Sequence, residues 1–163
     1  EKFFNDKTKF RSNSMGKSMV WYLAGHAICA GYIDSVDTKL NDWPLIQKTL
    51  YHDQKLIDLM NMAAGHHQYA DQNIKTGGLY PTNSNKNTIA FHMKDGVFKN
   101  SKKSKSKYQY TNLLTSIVIN YVWHKSDGNF QDLLDKVFKE KAKIEHDVWF
   151  EKNNSLHCLR RRD

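Results

Sequence analysis

The chain has 163 residues, of which 39% are hydrophobic and 12% aromatic, which suits one domain with a hydrophobic core and excludes a disordered polypeptide. Two prolines and eight glycines are too few for a turn-rich all-β fold, and the net charge of +8 favours polyanionic partners such as nucleic acid or nucleotides. The sequence contains no membrane-spanning apolar run, no visible signal peptide and only two cysteines, so we expect a cytoplasmic protein without a membrane partner.

Apolar residues recur at helical spacing in four segments, which predicts an all-α fold. Asn41 or Asp42 can cap the second predicted helix, whose first turn holds Pro44, and Asp127 can cap the last one. The predicted helices run from Met15 to Val36, from about Trp43 to Ala64, from Tyr108 to Trp123 and from Phe130 to Phe150.

The sequence favours a single helical domain over residues 1–150, followed by a basic tail over residues 151–163. Residues 68–107 form a long, polar and irregular region, and a short apolar piece within it suggests a small β element near residues 88–98. Because long loops inside a compact domain are usually functional or mobile, this region is a candidate for contact with a partner.

The end of this region is rich in lysine and serine, which is typical either of a solvated loop or of a surface that contacts phosphate groups. Side chains of this kind position a nucleic acid without reading its sequence. The candidate nucleic-acid-binding residues are Lys102, Lys103, Lys105 and Lys107.

Two adjacent histidines, His66 and His67, follow the second predicted helix directly after Gly65, a residue that commonly ends helices. Imidazole is the commonest protein ligand for transition metals, so a pair of them indicates a metal site. The simpler alternative is a polar helix end, where imidazoles lie near the negative end of the helix dipole.

A single histidine, His26, lies within the first predicted helix in the string H-x-x-x-x-G-x-I, and the His pair lies in the string A-x-H-H. On these strings the chain resembles the HD superfamily of metal-dependent phosphohydrolases, and most closely the HD nuclease domains of CRISPR effector proteins and the HD-GYP phosphodiesterases. The segment FFNDKTKFR, residues 3–11, resembles the opening motif of that superfamily. The resemblance implies a helical bundle around one or two metal ions.

The same resemblance implies the roles of individual residues. Asp6 and Lys9 match the acidic and basic members of the opening motif, so Asp6 would bridge two metal ions and Lys9 would meet the phosphate. The metal ligands would be Asp6, His26, His66 and His67, and the metal would be Mn, Fe, Co or Ni. The implied activity is hydrolysis of nucleic acid or nucleotides, within a larger protein assembly.

Two positions depart from the pattern of the superfamily. Asn5 stands where it has a His, and Asn120 falls near the place of a late Asp. A neutral amide oxygen is a poorer ligand for a transition metal than imidazole or carboxylate, so an inactive HD domain is an open alternative. His124 or Asp127 could stand in for the missing Asp.

A second alignment within the superfamily uses His26 followed by the dipeptide His52-Asp53. It is less favoured because this dipeptide falls inside the second predicted helix, which the sequence suggests is uninterrupted.

Two further functions remain open. His67, Asn83 and His92 have a spacing that resembles HNH nucleases, although the finger of those enzymes needs a β-hairpin where this sequence predicts a helix. The chain could instead be a basic helical module, without enzymatic activity, that binds nucleic acid or an acidic protein.

Overall fold

The computed structural model describes residues 13–47, 49, 51–64, 108, 110, 112–145 and 148. Within these ranges the elements are helices, with no strand, which agrees with the predicted all-α class. None of these described helices is long and apolar enough to cross a membrane. The predicted β element near residues 88–98, the basic region over residues 68–107 and the tail lie outside the described residues.

The first helix, α1, spans Gly16–Cys29 and follows a 3-10 turn over Asn13–Met15. Its buried residues include Val20, Leu23 and Ala27, which recur at helical spacing and face the core. Tyr22 lies outside this buried stripe and is 44% exposed.

The prediction that α1 continues to Val36 is wrong, because the helix ends at a glycine cap. Gly31 adopts a φ of +80°, which breaks the helical path. The N–H of Gly31 donates to the carbonyl of Ile28 at 2.9 Å, and the N–H of Tyr32 donates to the carbonyl of Ala27 at 3.0 Å. This bonding pattern satisfies carbonyls at the helix end that would otherwise be unpaired.

The long helix predicted from Trp43 to Ala64 does not form. The structure has a 3-10 turn over Pro44–Ile46, which confirms Pro44 in a first turn, and a short helix, α2, over Leu56–Met60. The residue that caps the turn is Trp43, with no side-chain capping bond, so the predicted caps Asn41 and Asp42 are also wrong.

Backbone and side-chain bonds explain why the chain between these two elements is not helical. The hydroxyl of Thr49 donates to the carbonyl of Ile46 at 2.8 Å and accepts from the N–H of Tyr51 at 3.2 Å, so it competes with helical hydrogen bonds. Asp53 then adopts a φ of 62°, and Lys39 pairs with Lys55 in an isolated antiparallel bridge. The backbone therefore turns instead of continuing as a helix.

The central helix, α3, spans Asn112–Lys125 and packs against both α1 and α2. The sequence predicted it to begin earlier, at Tyr108. Every residue from 113 to 122 is buried, including Ser116 and Asn120. A helix that is covered on all sides belongs to the middle of a bundle, and α3 therefore organises the described core.

The last predicted helix is shorter than expected and changes its geometry. The α-helical part, α4, spans Phe130–Asp135 and continues as a π-helix over Lys136–Lys141. The cap of α4 is Asn129, so the prediction of Asp127 is wrong. Asp127 lies instead in the preceding turn, with a φ of 41°.

Asp42 joins the turn before Pro44 to the central helix. Its carboxylate accepts hydrogen bonds from the hydroxyl of Tyr121 at 3.0 Å and from the ammonium of Lys125 at 2.7 Å. Burial raises the pKa of Asp42. The hydrogen bonds from Lys125 and Tyr121 and the charge of Lys125 together lower it by more, so the pKa lies below its ordinary value. Burial, followed by the charge of Asp42, raises the pKa of Tyr121.

Candidate functional site

Among the predicted metal and catalytic residues, the structure describes His26 alone. Whether the predicted ligands share one pocket therefore stays a prediction. The residues outside the described ranges are Asp6, Lys9, His66, His67, Lys102, Lys103, Lys105 and Lys107, together with Asn5, Asn83 and His92 from the alternatives.

His26 lies half-buried in the last turn of α1. Its ring meets the ring of Tyr22, one helical turn earlier, edge to face, with centroids 4.6 Å apart and planes at 77°. Apart from this ring contact, no described residue makes a hydrogen bond or ion pair with the His26 side chain.

The second alignment loses its main objection, since His52 and Asp53 lie in a turn and not in a helix. Nδ1 of His52 is 3.5 Å from a carboxylate oxygen of Asp53, so the two side chains contact each other locally. Within the described ranges, however, no three His, Cys, Asp or Glu side chains come close enough together to hold a metal ion.

Asn120 is buried in α3, where 6% of it is exposed. Its side-chain amide nitrogen donates to the backbone carbonyl of Ser116 at 2.8 Å. A hydrogen bond inside its own helix satisfies this buried donor, which is a structural role.

The two residues considered as substitutes for the late Asp belong to no group of metal-ligating side chains within the described residues. His124 is exposed and stacks on Trp43, with ring centroids 5.9 Å apart and planes at 21°. Asp127 is exposed in the turn that follows α3.

A cluster that the sequence analysis missed lies at the start of α1 and consists of Ser14, Lys17 and Tyr110. Nζ of Lys17 donates to the hydroxyl of Ser14 at 3.3 Å, and the hydroxyl of Tyr110 donates to the same oxygen at 2.8 Å. The Lys17 ammonium also lies 4.9 Å from the centroid of the Tyr110 ring. We call these three residues the Ser–Lys–Tyr cluster.

Lys17 is unusual because only 7% of it is exposed, although Lys is rarely so buried without a counter-ion. Within the described residues its contacts are the two just given, and no carboxylate there pairs with it. Burial raises the pKa of Tyr110, but the polar contacts with Lys17 and Ser14 and the charge of Lys17 outweigh burial, so that pKa lies below its ordinary value.

Part of this cluster was visible in the sequence. Ser14 and Lys17 are three residues apart, which places them on one side of a helical turn. Tyr110 is 96 positions from Ser14, and only the packing of distant segments brings it there. No local pattern could have predicted this third member.

Comparison with known proteins adds no relative, since no protein-family model and no curated protein matches the chain.

Proposed function

We propose that this chain is a helical domain of the HD type that binds nucleic acid or nucleotides and cleaves their phosphodiester bonds with the help of divalent transition metals. The proposal rests on the motif resemblance, and one structural observation supports it. His26 lies half-buried at the end of α1, and within the described residues its ring has no hydrogen-bond or ion-pair partner. Such an imidazole fits a metal ligand, because ligation requires a ring nitrogen that is not already occupied.

The remaining roles in this proposal follow the resemblance. Asp6 bridges the metal ions, His26, His66 and His67 coordinate them, and Lys9 meets the phosphate. Bound metal would supply activation of water and stabilisation of the charge that develops on the phosphate oxygens. The excess of positive charge on the chain favours the approach of a polyanionic substrate.

The proposal is tested by hydrolysis of a generic phosphodiester and of a single-stranded oligonucleotide in the presence of Mn²⁺, Ni²⁺, Co²⁺ or Mg²⁺. We expect metal-dependent cleavage that drops at least a hundredfold in H26A and in H67A, because each change removes a ligand of the metal that activates water. H157A is the matched control, since it removes a histidine that belongs to no motif, and it should retain activity.

Cleavage that is lost in N83A and H92A but retained in H26A would contradict the HD proposal and favour the HNH alternative. Cleavage retained in every variant would contradict both, and would point to a contaminating nuclease.

The second candidate is a degenerate HD domain that binds polyanions without cleaving them. The observation that favours it is the structural role of Asn120, which stands near the place of a metal-binding Asp and donates to its own helix. In this case the chain has no hydrolytic activity with any of the four metals but still binds an oligonucleotide.

Such binding should weaken steeply with salt, because lysine contacts with phosphate release counter-ions. Replacing Lys102, Lys103, Lys105 and Lys107 by Gln should flatten the slope of log K against log salt by roughly 0.7 for each lysine that contacts a single strand. An unchanged slope would contradict the assignment of these lysines.

A further inference from the structure

The Ser–Lys–Tyr cluster holds a positive charge that no carboxylate within the described residues balances. Lys17 lies in the first turn of α1, where the helix dipole already presents its positive end. Neither α1 nor the 3-10 turn before it has an acidic residue in its first turn. A largely covered lysine that has no counter-ion among the described residues gains from an anion placed beside it.

Hydrogen-bond donors converge on the same place. The ammonium of Lys17 has three N–H groups, of which one points to Ser14. The hydroxyls of Ser14 and Tyr110 can each rotate to donate to an incoming oxygen. Ser14 is exposed and Tyr110 is partly exposed, so an anion can approach the hydroxyls from solvent while the lysine remains covered.

From this arrangement we propose that Ser14, Lys17 and Tyr110 form a binding site for a phosphate group. A phosphate fits because it is a small anion with several acceptor oxygens, which can meet two hydroxyls and one ammonium together. The lysine provides the charge, and the two hydroxyls provide further hydrogen-bond donors for the phosphate oxygens. The site deepens the proposed function and rests on it for the identity of the ligand, which is the phosphate of a nucleotide or nucleic acid.

The site needs no metal, so it can be tested apart from the proposed hydrolysis. The experiment is calorimetric titration of the full chain with inorganic phosphate, with acetate at equal ionic strength as the reference anion. We expect binding of phosphate that weakens about tenfold or more in K17M, which keeps the buried stem and removes the charge. S14A and Y110F each remove one hydroxyl, keep most of the packing, and should weaken binding about two- to tenfold.

K55M is the matched control, because Lys55 is already paired with Asp37 at 2.8 Å. It should bind phosphate as the wild type does. Thermal unfolding guards against a variant that simply misfolds: phosphate should raise the melting temperature of the wild type and of K55M by the same amount, and should raise that of K17M less.

The source of the phosphate is distinguished by competition. Displacement of phosphate by a 5′-mononucleotide alone assigns a phosphomonoester, and displacement by an oligonucleotide with a 5′-hydroxyl assigns the phosphodiester backbone. Absence of phosphate binding by the wild type, or wild-type affinity in K17M, S14A and Y110F, would overturn the site. Phosphate binding unchanged in K17M, together with hydrolysis that is lost in H26A, would overturn this inference and leave the proposed function in place.

Discussion

Asp42 is a residue whose carboxylate links two distant parts of the chain, the turn before Pro44 and the central helix α3. Its partners Tyr121 and Lys125 follow it by 79 and 83 positions. The hydroxyl of the fully buried Tyr121 would lack this acceptor if the carboxylate were removed, while the ion pair with Lys125 is partly exposed. The contribution of this group is therefore modest and depends on pH and salt.

Because the pKa of Asp42 is lower in the folded than in the unfolded protein, the carboxylate stabilises the fold above its ordinary pKa of 3.8 and ceases to do so as the pH falls through the folded-state pKa. We expect D42N to lower the free energy of unfolding by about 0.5–1 kcal/mol at pH 7 and low salt. Urea unfolding at a series of pH values measures this difference, which should disappear in acid.

D127N is the control for this prediction, since Asp127 is exposed and pairs with no other residue that the structure describes. It makes the same change of charge and should alter stability by less than about 0.5 kcal/mol. A loss of stability in D42N that persists unchanged in acid would contradict an electrostatic role for Asp42.

At the scale of elements, the end of α1 depends on the conformation of Gly31, while Gly25 lies exposed within the helix. A Cβ added at either glycine meets no atom within 4 Å, so steric clashes affect neither substitution. Only the backbone distinguishes them, because Gly31 has a φ of +80° that other residues adopt at a cost.

We therefore expect the two substitutions to have opposite signs. G31A should destabilise the protein by about 1–2 kcal/mol, and G25A should stabilise it by about 0.5–1 kcal/mol because alanine favours the helix interior. Chemical denaturation of both variants tests this, and a G31A variant as stable as the wild type would contradict the role of Gly31 as the helix cap.

Local patterns predicted the elements whose hydrogen bonds are local. The central helix α3 was found because its apolar residues recur at helical spacing, and the break before the last helix was found because Gly128 and polar residues cluster there. The complete burial of α3 was not predicted, although the absence of any charged residue from 112 to 123 was a signal of it.

The helix predicted from Trp43 to Ala64 does not form, because backbone hydrogen bonds in this segment join residues that are far apart in the chain. The N–H of Leu56 donates to the carbonyl of Thr38 at 2.9 Å, and the N–H of Leu40 donates to the carbonyl of Gln54 at 2.9 Å. Periodicity within the segment does not contain these partners. The change from α- to π-helix at Lys136 was likewise not visible in the spacing of apolar residues.

At the scale of the whole molecule, the candidate site depends on segments that lie far apart in the chain. The sequence identified candidate metal ligands by residue type and spacing. Whether these ligands come together depends on packing, and their convergence stays a prediction because His26 is the only one that the structure describes. The Ser–Lys–Tyr cluster shows the same dependence on packing, because Ser14 and Lys17 are neighbours in the sequence whereas Tyr110 lies 96 positions from Ser14.

The central claim is that imidazoles from two segments bind a transition metal, and element analysis of the full chain purified without chelator tests it most directly. We predict Mn, Fe, Co or Ni at one or two ions per chain, in line with a one- or two-metal site. The content should fall sharply in H26A, H66A and H67A and stay unchanged in H157A. A wild-type protein without transition metal, or a metal content that none of the three substitutions lowers, would contradict the claim.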